Sequence, residues 1–423
     1  MTLALGIDIG TSGVRTAVLE EDGTLLSSAR AAHVARGADQ IDARHWWEAV
    51  SSCITSQVSA VEALGRSGAD ISRIAIDGTS GSMVLTDAAL APVGPALMYN
   101  SKGFHDEAAK ISAVCPSRDH IALGSNSGLA RALRLRGEAQ ATPAHLLHQA
   151  DYIAAKLLGR GGQSDHNSAL KTGFDPEAED WPTWILDLVG AELLPRVDPV
   201  GTNWGAIDAG VAAALGLSPR AEVCAGTTDS IAAFLAAAPL SCGAAVTSIG
   251  STLAIKVLSD KRIDLPAMGL YSHRVGAYWL VGGASNTGGA VLASFFSPDE
   301  LASLSDAIDP SVASDLDYYP LLEDGERFPV NDPELAPRLT PRPVSDAAFL
   351  KGLFEGIASI EAQSYALIEA KGGPKLQAIY TAGGASSNET FTAIRERILG
   401  RPLQVAAQTE ASIGTARLAQ GLI

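Results

Sequence analysis

The feature that most constrains this chain is a pattern that occurs twice. Leu3 to Ile9 reads as a buried strand, GTSG as a tight turn and Val14 to Leu19 as a second strand, with EEDG turning the chain into Thr24 to Ser28. About 240 residues further on, GAAVTSIGSTLAIKVLS gives strand, turn and strand again. The first turn carries Gly10, Thr11 and Ser12, the second Gly250, Ser251 and Thr252. A recurrence of this kind reads as an internal duplication of architecture. At 423 residues the chain also exceeds what one hydrophobic core organises. Two domains of roughly 200 residues each are therefore expected, with a cleft between them.

Between and after the hairpins, strands and helices alternate, which predicts an α/β fold. Helical periodicity runs from Trp46 to Val61, followed by a strand at Ile71 to Ile76 that closes on DGTSGS and another near Met83 to Leu85. The spacing of Leu146, Ile153, Leu157 and Leu158 behind a Thr-Pro start predicts a helix from Thr142 to Gly159. The following SDHNSALKTGFD reads as a loop, and Asp165, His166 and Lys171 within it are assigned to capping or loop-tying. After Val223, AGTTDS leads into a helix at SIAAFLAAA. The acidic, Pro-rich stretch from Asp309 to Leu339 reads as an ordered surface loop. Helices at Ala347 to Ile368 and Thr390 to Leu399 flank a strand, Leu376 to Tyr380, that runs into TAGGASSN.

Composition removes several function classes. A net charge of -16 without a Lys/Arg-dense run gives no source of attraction to a phosphate backbone, so nucleic acid is excluded as a partner. Cys53, Cys115, Cys224 and Cys242 are scattered among apolar or small residues without C-x-x-C spacing, and are expected to be buried reduced thiols. The start MTLALGIDIG has no basic n-region, and no apolar run reaches membrane-spanning length. A cytoplasmic protein without a membrane partner is the expectation.

Motifs narrow the chemistry further. The sequence contains no G-x-x-x-x-G-K-[ST], no G-x-G-x-x-G after a strand, no H-E-x-x-H and no paired Cys/His set. GTSGS at residues 78–82 resembles a nucleophile elbow, but Ser82 stands where a small glycine is needed. What remains is three Gly/Ser/Thr turns on strands together with Asp8 and Asp229. Such turns let backbone N–H groups converge on phosphate oxygens, because glycine removes the side chain that would block approach. With no P-loop lysine, phosphate charge must be met by backbone dipoles and a divalent cation, and Asp8 beside the first turn is the natural holder, through water. A lone turn of this type would be structural. Here a charged Asp8 interrupts an otherwise apolar strand, and a buried carboxylate without a partner is costly. Asp229 precedes a helix, so N-capping is its simplest role; an ionised carboxylate fixed at a helix start is equally suited to take a proton from a hydroxyl.

Taken together, these segments resemble the FGGY carbohydrate kinases, which belong to the actin-like, ribonuclease-H-like ATPase superfamily, over essentially the whole chain. GIDIGTSGVRTAV is similar to the first phosphate motif of that family, SIGSTLAIK to the second, AGTTDSIAAFLA to the segment with the catalytic base, and TAGGASSNETF to the adenosine motif. HLLHQADYIAAKLLGR is similar to a scaffold helix. The resemblance implies an N-terminal sugar-binding domain over residues 1–235 and a C-terminal ATP-binding domain over residues 236–423, each ribonuclease H-like, around a central cleft. It makes Asp229 the catalytic base, Asp8 the magnesium holder and Thr11 a contact to the β- or γ-phosphate. Gly10, Thr11, Ser12, Gly250, Ser251, Thr252, Gly383, Gly384 and Asn388 become ATP contacts.

For the acceptor, DGTSGSMV replaces the Gln- or Arg-bearing loops of glycerol and xylulose kinases. IDGTSGSMVLTD, ALMYN, DHNSALKTGFD and VGGASNTGGAV are similar to the compact D-ribulose kinase subgroup. That likeness implies D-ribulose as acceptor, contacted by Asp8, Ser80 and Asp229, with D-xylulose or another ketopentose or polyol as the alternative. Asp77 falls outside the family pattern and is left a turn-stabilising role. The implied partners are MgATP and a small sugar, for a monomer or homodimer that binds MgATP across both hairpins and closes to exclude water. Two rival readings keep the scaffold: a phosphatase or ATP hydrolase using water as nucleophile, and a nucleotide binder without transfer.

Overall fold

The computed structural model describes residues 2–33 and 40–421. The first hairpin forms as the sequence predicts: Leu3–Ile9 pairs antiparallel with Gly13–Leu19, from Ala4 opposite Leu19 to Ile9 opposite Val14. All seven residues of Leu3–Ile9 are buried, because layers cover both faces of the sheet. That sheet has six strands in the order Asn203–Ala206, Glu222–Thr228, Ile71–Gly78, Leu3–Ile9, Gly13–Leu19, Leu25–Ala32. The three central strands, Glu222–Thr228, Ile71–Gly78 and Leu3–Ile9, are mutually parallel, so their carboxyl ends open at one edge.

Helix Ala43–Ala63 covers one face with Trp46, Val50, Ile54, Val58 and Val61, and starts where the Asp42 side chain accepts from the Arg44 amide. Helix Ala411–Ala419 lies against Leu3–Ile9 so closely that a Cβ at Gly6 would stand 2.0 Å from the Ser412 carbonyl oxygen. Only glycine permits that approach.

The chain divides into two compact units. Unit 1 comprises Met1–Ala236, His273–Gly276 and Glu410–Ile423; unit 2 comprises Ala237–Ser272 and Ala277–Thr409. Unit 2 repeats the construction of unit 1, as the duplicated turns predict. Ala244–Ile249 pairs antiparallel with Leu253–Ser259 and parallel with Ala378–Ala382, as Leu3–Ile9 does with Gly13–Leu19 and Ile71–Gly78.

Several elements differ from expectation. The helix predicted from Thr142 starts at Gln149, and His145–His148 is instead a strand antiparallel to Met83–Thr86. Its neighbours Leu146 and Leu147 fill two different cores, so both faces are apolar and the alternation of a strand is lost in the sequence. SDHNSALKTGFD is not a loop: it forms a strand Gln163–Asp165 and a fully buried helix His166–Leu170, too short to show periodicity. The Asp309–Leu339 stretch has no helix or strand, but it is more than a surface loop, since Tyr318, Tyr319, Leu321 and Phe328 enter the unit 2 core. The strand predicted at Leu376 begins at Ala378. All four cysteines are free; Cys53 and Cys224 are buried as expected, whereas Cys115 and Cys242 are only partly so.

Unit 2 is braced by an ion pair with no solvent exposure. Arg395 donates to Glu361 from Nε and Nη2 at 2.7 and 2.8 Å, and from Nη1 to Thr381 Oγ1 at 2.7 Å. Thr247 Oγ1 donates to Glu361 at 2.5 Å and bonds the Tyr365 hydroxyl at 2.6 Å. Helices Asp346–Ala370 and Glu389–Leu399 thereby grip Ala244–Ile249 and Ala378–Ala382 through polar groups as well as apolar ones. Replacing Arg395 by Met leaves Glu361 as a buried charge without its counter-ion, at a cost of about 3–5 kcal/mol. Urea unfolding of Arg395→Met should show that loss, and pairing it with Glu361→Leu should restore part of it.

Candidate active site

Three carboxylates collect at the carboxyl ends of the parallel strands in unit 1, the edge where open α/β sheets receive ligands. Asp8 ends the all-buried first strand and stands in register with Asp77 on Ile71–Gly78. Asp77 is in turn in register with Thr227, and Asp229 follows Thr228 directly.

Burial pushes the Asp8 carboxyl above its usual range, and Asp229 adds to this; a hydrogen bond from Asp77 and the Arg15 guanidinium at 3.4 Å pull it back. Asp77 is wholly buried and is pushed much higher, by burial first and by Asp8 second, although the Thr415 hydroxyl donates to its Oδ2. Two adjacent buried carboxyls cannot both be ionised, and Asp77, the more deeply buried of the two, is pushed further toward the protonated form. The sequence leaves Asp77 a turn-stabilising role; the structure adds that it stands in register with Asp8 and that its Oδ2 accepts from the Thr415 hydroxyl. Asp229 opens helix Asp229–Ala237, and its Oδ1 accepts from the Ser230 amide at 2.6 Å.

Ser80 sits on the turn that follows Asp77. Gln149 Oε1 accepts from the Thr79 amide and hydroxyl at 2.9 and 2.7 Å, and Ser82 Oγ lies 2.6 Å from Thr79 Oγ1. Arg131 donates to the Gly81 carbonyl at 3.3 Å from a guanidinium that burial pulls down to about 10. The turn itself is braced by these bonds, while the Ser80 hydroxyl is screened from solvent with no partner among the described residues. An orphan hydroxyl on a braced turn fits a ligand contact.

The first glycine turn exposes Thr11 and Ser12 and is closed by a Gly10 amide to Gly13 carbonyl bond of 2.9 Å. His33, which sequence reasoning missed, braces it from behind: its ring nitrogen lies 3.1 Å from the Gly10 carbonyl oxygen and its amide donates to Ser12. Burial keeps this imidazole below its ordinary pKa, hence neutral. No local pattern marks His33, Gln149 or Arg131, because each reaches its turn from a distant segment.

Asp165 caps the His166–Leu170 helix as expected, accepting from the Asn167 and Ser168 amides at 2.8 and 3.0 Å. His166 stacks on Phe174 at 5.7 Å. Lys171 is the C-cap of the same helix, its amide donating to the Ala169 carbonyl, while its ammonium has no hydrogen bond or ion pair among the described residues.

Unit 2 holds a cavity of about 540 Å³, within the size range of small-molecule sites. Gly250, Ser251, Gly384 and Asn388 line it together with apolar walls from Leu301 and Phe354. Nothing lies within 4 Å of a Cβ built on Gly250 or Gly384, so both faces are open to a ligand. Gly383 stands behind them at φ +86°, where a Cβ would come 2.6 Å from the Ile249 carbonyl oxygen. Thr252 is exposed at the end of the turn, outside the cavity lining. Asn388 caps helix Glu389–Leu399 through the Phe391 amide at 2.8 Å and donates to Ser305 at 2.8 Å, so in this structure its amide is also scaffold. Among the described residues, no group of three or more His, Cys, Asp or Glu side chains is arranged to hold a metal ion.

Comparison with known proteins decides the family. Residues 3–121 match the model of the N-terminal domain of FGGY carbohydrate kinases, and residues 245–420 match that of the C-terminal domain. The chain belongs to the FGGY family of carbohydrate kinases. Over 448 residues it is 26% identical to a xylulose kinase of Streptomyces coelicolor, covering all of this chain and 88% of the relative. It is 24% identical to an autoinducer-2 kinase of Klebsiella pneumoniae, covering 100% of this chain and 86% of that one. The fold matches the crystal structure of a xylulose kinase from Rhodospirillum rubrum with a TM-score of 0.86 at 21% identity, over 99% of this chain and 89% of that one. As an FGGY member the chain is an ATP-dependent sugar kinase with the actin-like ATPase fold. No described helix is long and apolar enough to cross a membrane.

One acid of this FGGY scaffold yields a pH test. Burial, and then the charge of Asp151, raise the Asp165 carboxyl from 3.8 to about 7. Between those values the folded chain keeps a proton that the unfolded chain has lost, so this group's contribution to stability falls as pH rises. Asp165→Asn retains the cap acceptor and removes the titration. Its melting temperature relative to the parent should be higher at pH 8 than at pH 5, read by thermal unfolding in both buffers.

Proposed function

We propose that this FGGY kinase transfers the γ-phosphoryl group of MgATP to a hydroxyl of a ketopentose, with D-ribulose the leading acceptor. The observation that carries the reading is the set Asp8, Ser80 and Asp229, disposed around the carboxyl ends of adjoining parallel strands in unit 1. A polyhydroxylated acceptor needs several fixed polar groups, and the orphan hydroxyl of Ser80 offers one where no protein group uses it.

Asp229 acts as general base. Its place at a helix start, with the Ser230 amide on Oδ1, fixes its direction. Asp8 contacts the acceptor and holds the hydrated cation, with Thr11 at the phosphate end of the same hairpin. One carboxylate plus phosphate oxygens and water is a normal magnesium environment, so the lack of a ready cage among the described residues fits this assignment. A bound magnesium ion supplies charge neutralisation at the phosphoryl oxygens. The amides of Gly10, Thr11 and Ser12 serve phosphate from unit 1 and those of Gly250, Ser251 and Thr252 from unit 2; Gly383, Gly384 and Asn388 serve the nucleoside in the unit 2 cavity. The sugar half is thus assigned to residues 1–235 and the nucleotide half to residues 236–423.

D-xylulose is the second reading, favoured by the names of the relatives. Against it, the DGTSGS turn differs from the loops of xylulose kinases, and Ser80 belongs to the D-ribulose-like pattern. A coupled ADP-release assay over D-ribulose, L-ribulose, D-xylulose, glycerol and erythritol decides: D-ribulose is expected to give the highest kcat/KM, and D-xylulose in first place would reverse the order. Release independent of any sugar would favour the hydrolase. Asp229→Ala is expected to lower kcat by about 10²–10⁴-fold while ATP binding, read by titration, stays near the parent value.

A further inference from the structure

In unit 1 the family motifs do not account for the side chain of Lys171. Lys171 follows the buried helix His166–Leu170, which is pinned at several points. Asp165 caps its start, and Asn167 Nδ2 donates to Thr227 Oγ1 at 3.0 Å and to the Arg274 carbonyl at 3.1 Å. Thr227 lies two residues before Asp229, so this helix is fixed against the strand end that delivers the base. On its other side, the helix Gly128–Gly137 starts so close that a Cβ at Gly128 would stand 2.8 Å from the Lys171 carbonyl oxygen. The Lys171 backbone therefore has little freedom to move.

Its ammonium is unspent. Burial depresses its pKa, the negative charge of Asp229 acts in the opposite sense, and Arg131 adds a like charge. The Arg131 guanidinium is itself committed to the backbone carbonyls of Gly81, Tyr99 and Asn126. Among the described residues nothing accepts a hydrogen bond from the lysine, and the residue keeps only partial exposure. A largely buried charge without an acceptor costs stability, and such costs persist where a ligand supplies the missing partner.

Resting on the kinase reading above, we propose that Lys171 is a substrate-binding residue of the acceptor site, its ammonium donating to the carbonyl oxygen of an open-chain ketose whose hydroxyl faces Asp229. Lysine carries three donors and no acceptor, so it suits an oxygen that has no proton of its own to place. An alditol, which offers only hydroxyls at that point, gains less from the contact. The site thus discriminates between a ketose and its reduced polyol through one side chain, outside the Ser80 turn.

Lys171→Met keeps the length of the side chain and removes the charge. With the ketose that the unmodified enzyme uses best, KM should rise about 10–100-fold, the loss expected of a hydrogen bond to a charged donor. ATP KM should be unchanged, and the ratio of kcat/KM for the ketose over its alditol should fall. Without sugar the variant should melt at the same temperature as the parent or higher, since an unpaired charge has gone, and the upward shift caused by ketose should disappear. Parent-like ketose kinetics, or a lower melting temperature with both KM values and kcat impaired together, would overturn the assignment. Turnover by the unmodified enzyme separates the two levels: if it phosphorylates no ketose, the functional reading fails; if it does and the variant matches it, only the role of Lys171 fails.

Discussion

Two acids placed side by side on parallel strands, buried from water, govern the rest of unit 1. Asp8 and Asp77 lie in register on neighbouring strands of a sheet covered on both faces, and burial raises both. The penalty of two adjacent buried charges is removed by leaving one of them protonated. The two carboxyls stand side by side, with Arg15 on Asp8 and Thr415 on Asp77.

Unit 2 meets a related problem with a different solution. Its glycine turn at residues 250–252 and the segment at residues 381–388 carry no charge, so their geometry must come from the strands beneath. Those strands are held by Arg395 and Glu361, a pair without solvent exposure that also engages hydroxyls on both strands. Such a pair adds little net stability over apolar packing but tolerates few alternative arrangements. Apolar stacking of Phe354 on Phe391, with centroids 4.5 Å apart, supports the same helices from the core side. Unit 2 is thus braced behind an open cavity.

Much of this was legible in the sequence because the informative signals are local. Both hairpins, the strand ahead of Asp229 and the helices of unit 2 follow from turn chemistry and periodicity within single segments. The duplication needed only two similar turns at a wide separation. What escaped depends on contacts between distant segments. His145–His148 was hidden because Leu146 and Leu147 serve different cores, and His166–Leu170 because five residues cannot show a helical period. His33, Gln149 and Arg131 brace functional turns from remote positions, so no motif contains them. Asp77 was visible as an acid on a strand, but its protonation follows from a cross-strand neighbour that sequence spacing does not reveal.

The close seat of helix Ala411–Ala419 on Gly6 bears on how the protein is made. About 400 residues of chain separate that strand from the helix that covers it. At ribosomal rates of about 5–20 residues per second, the strand waits on the order of 20–80 s for its cover. During that interval the face of Leu3–Ile9 destined for the helix is apolar and unclad, and the acids at its end lack Thr415. Unit 2, whose segments lie inside this interval, can complete its own sheet first. The sheet of unit 1 is therefore completed by a segment that is made after all of unit 2.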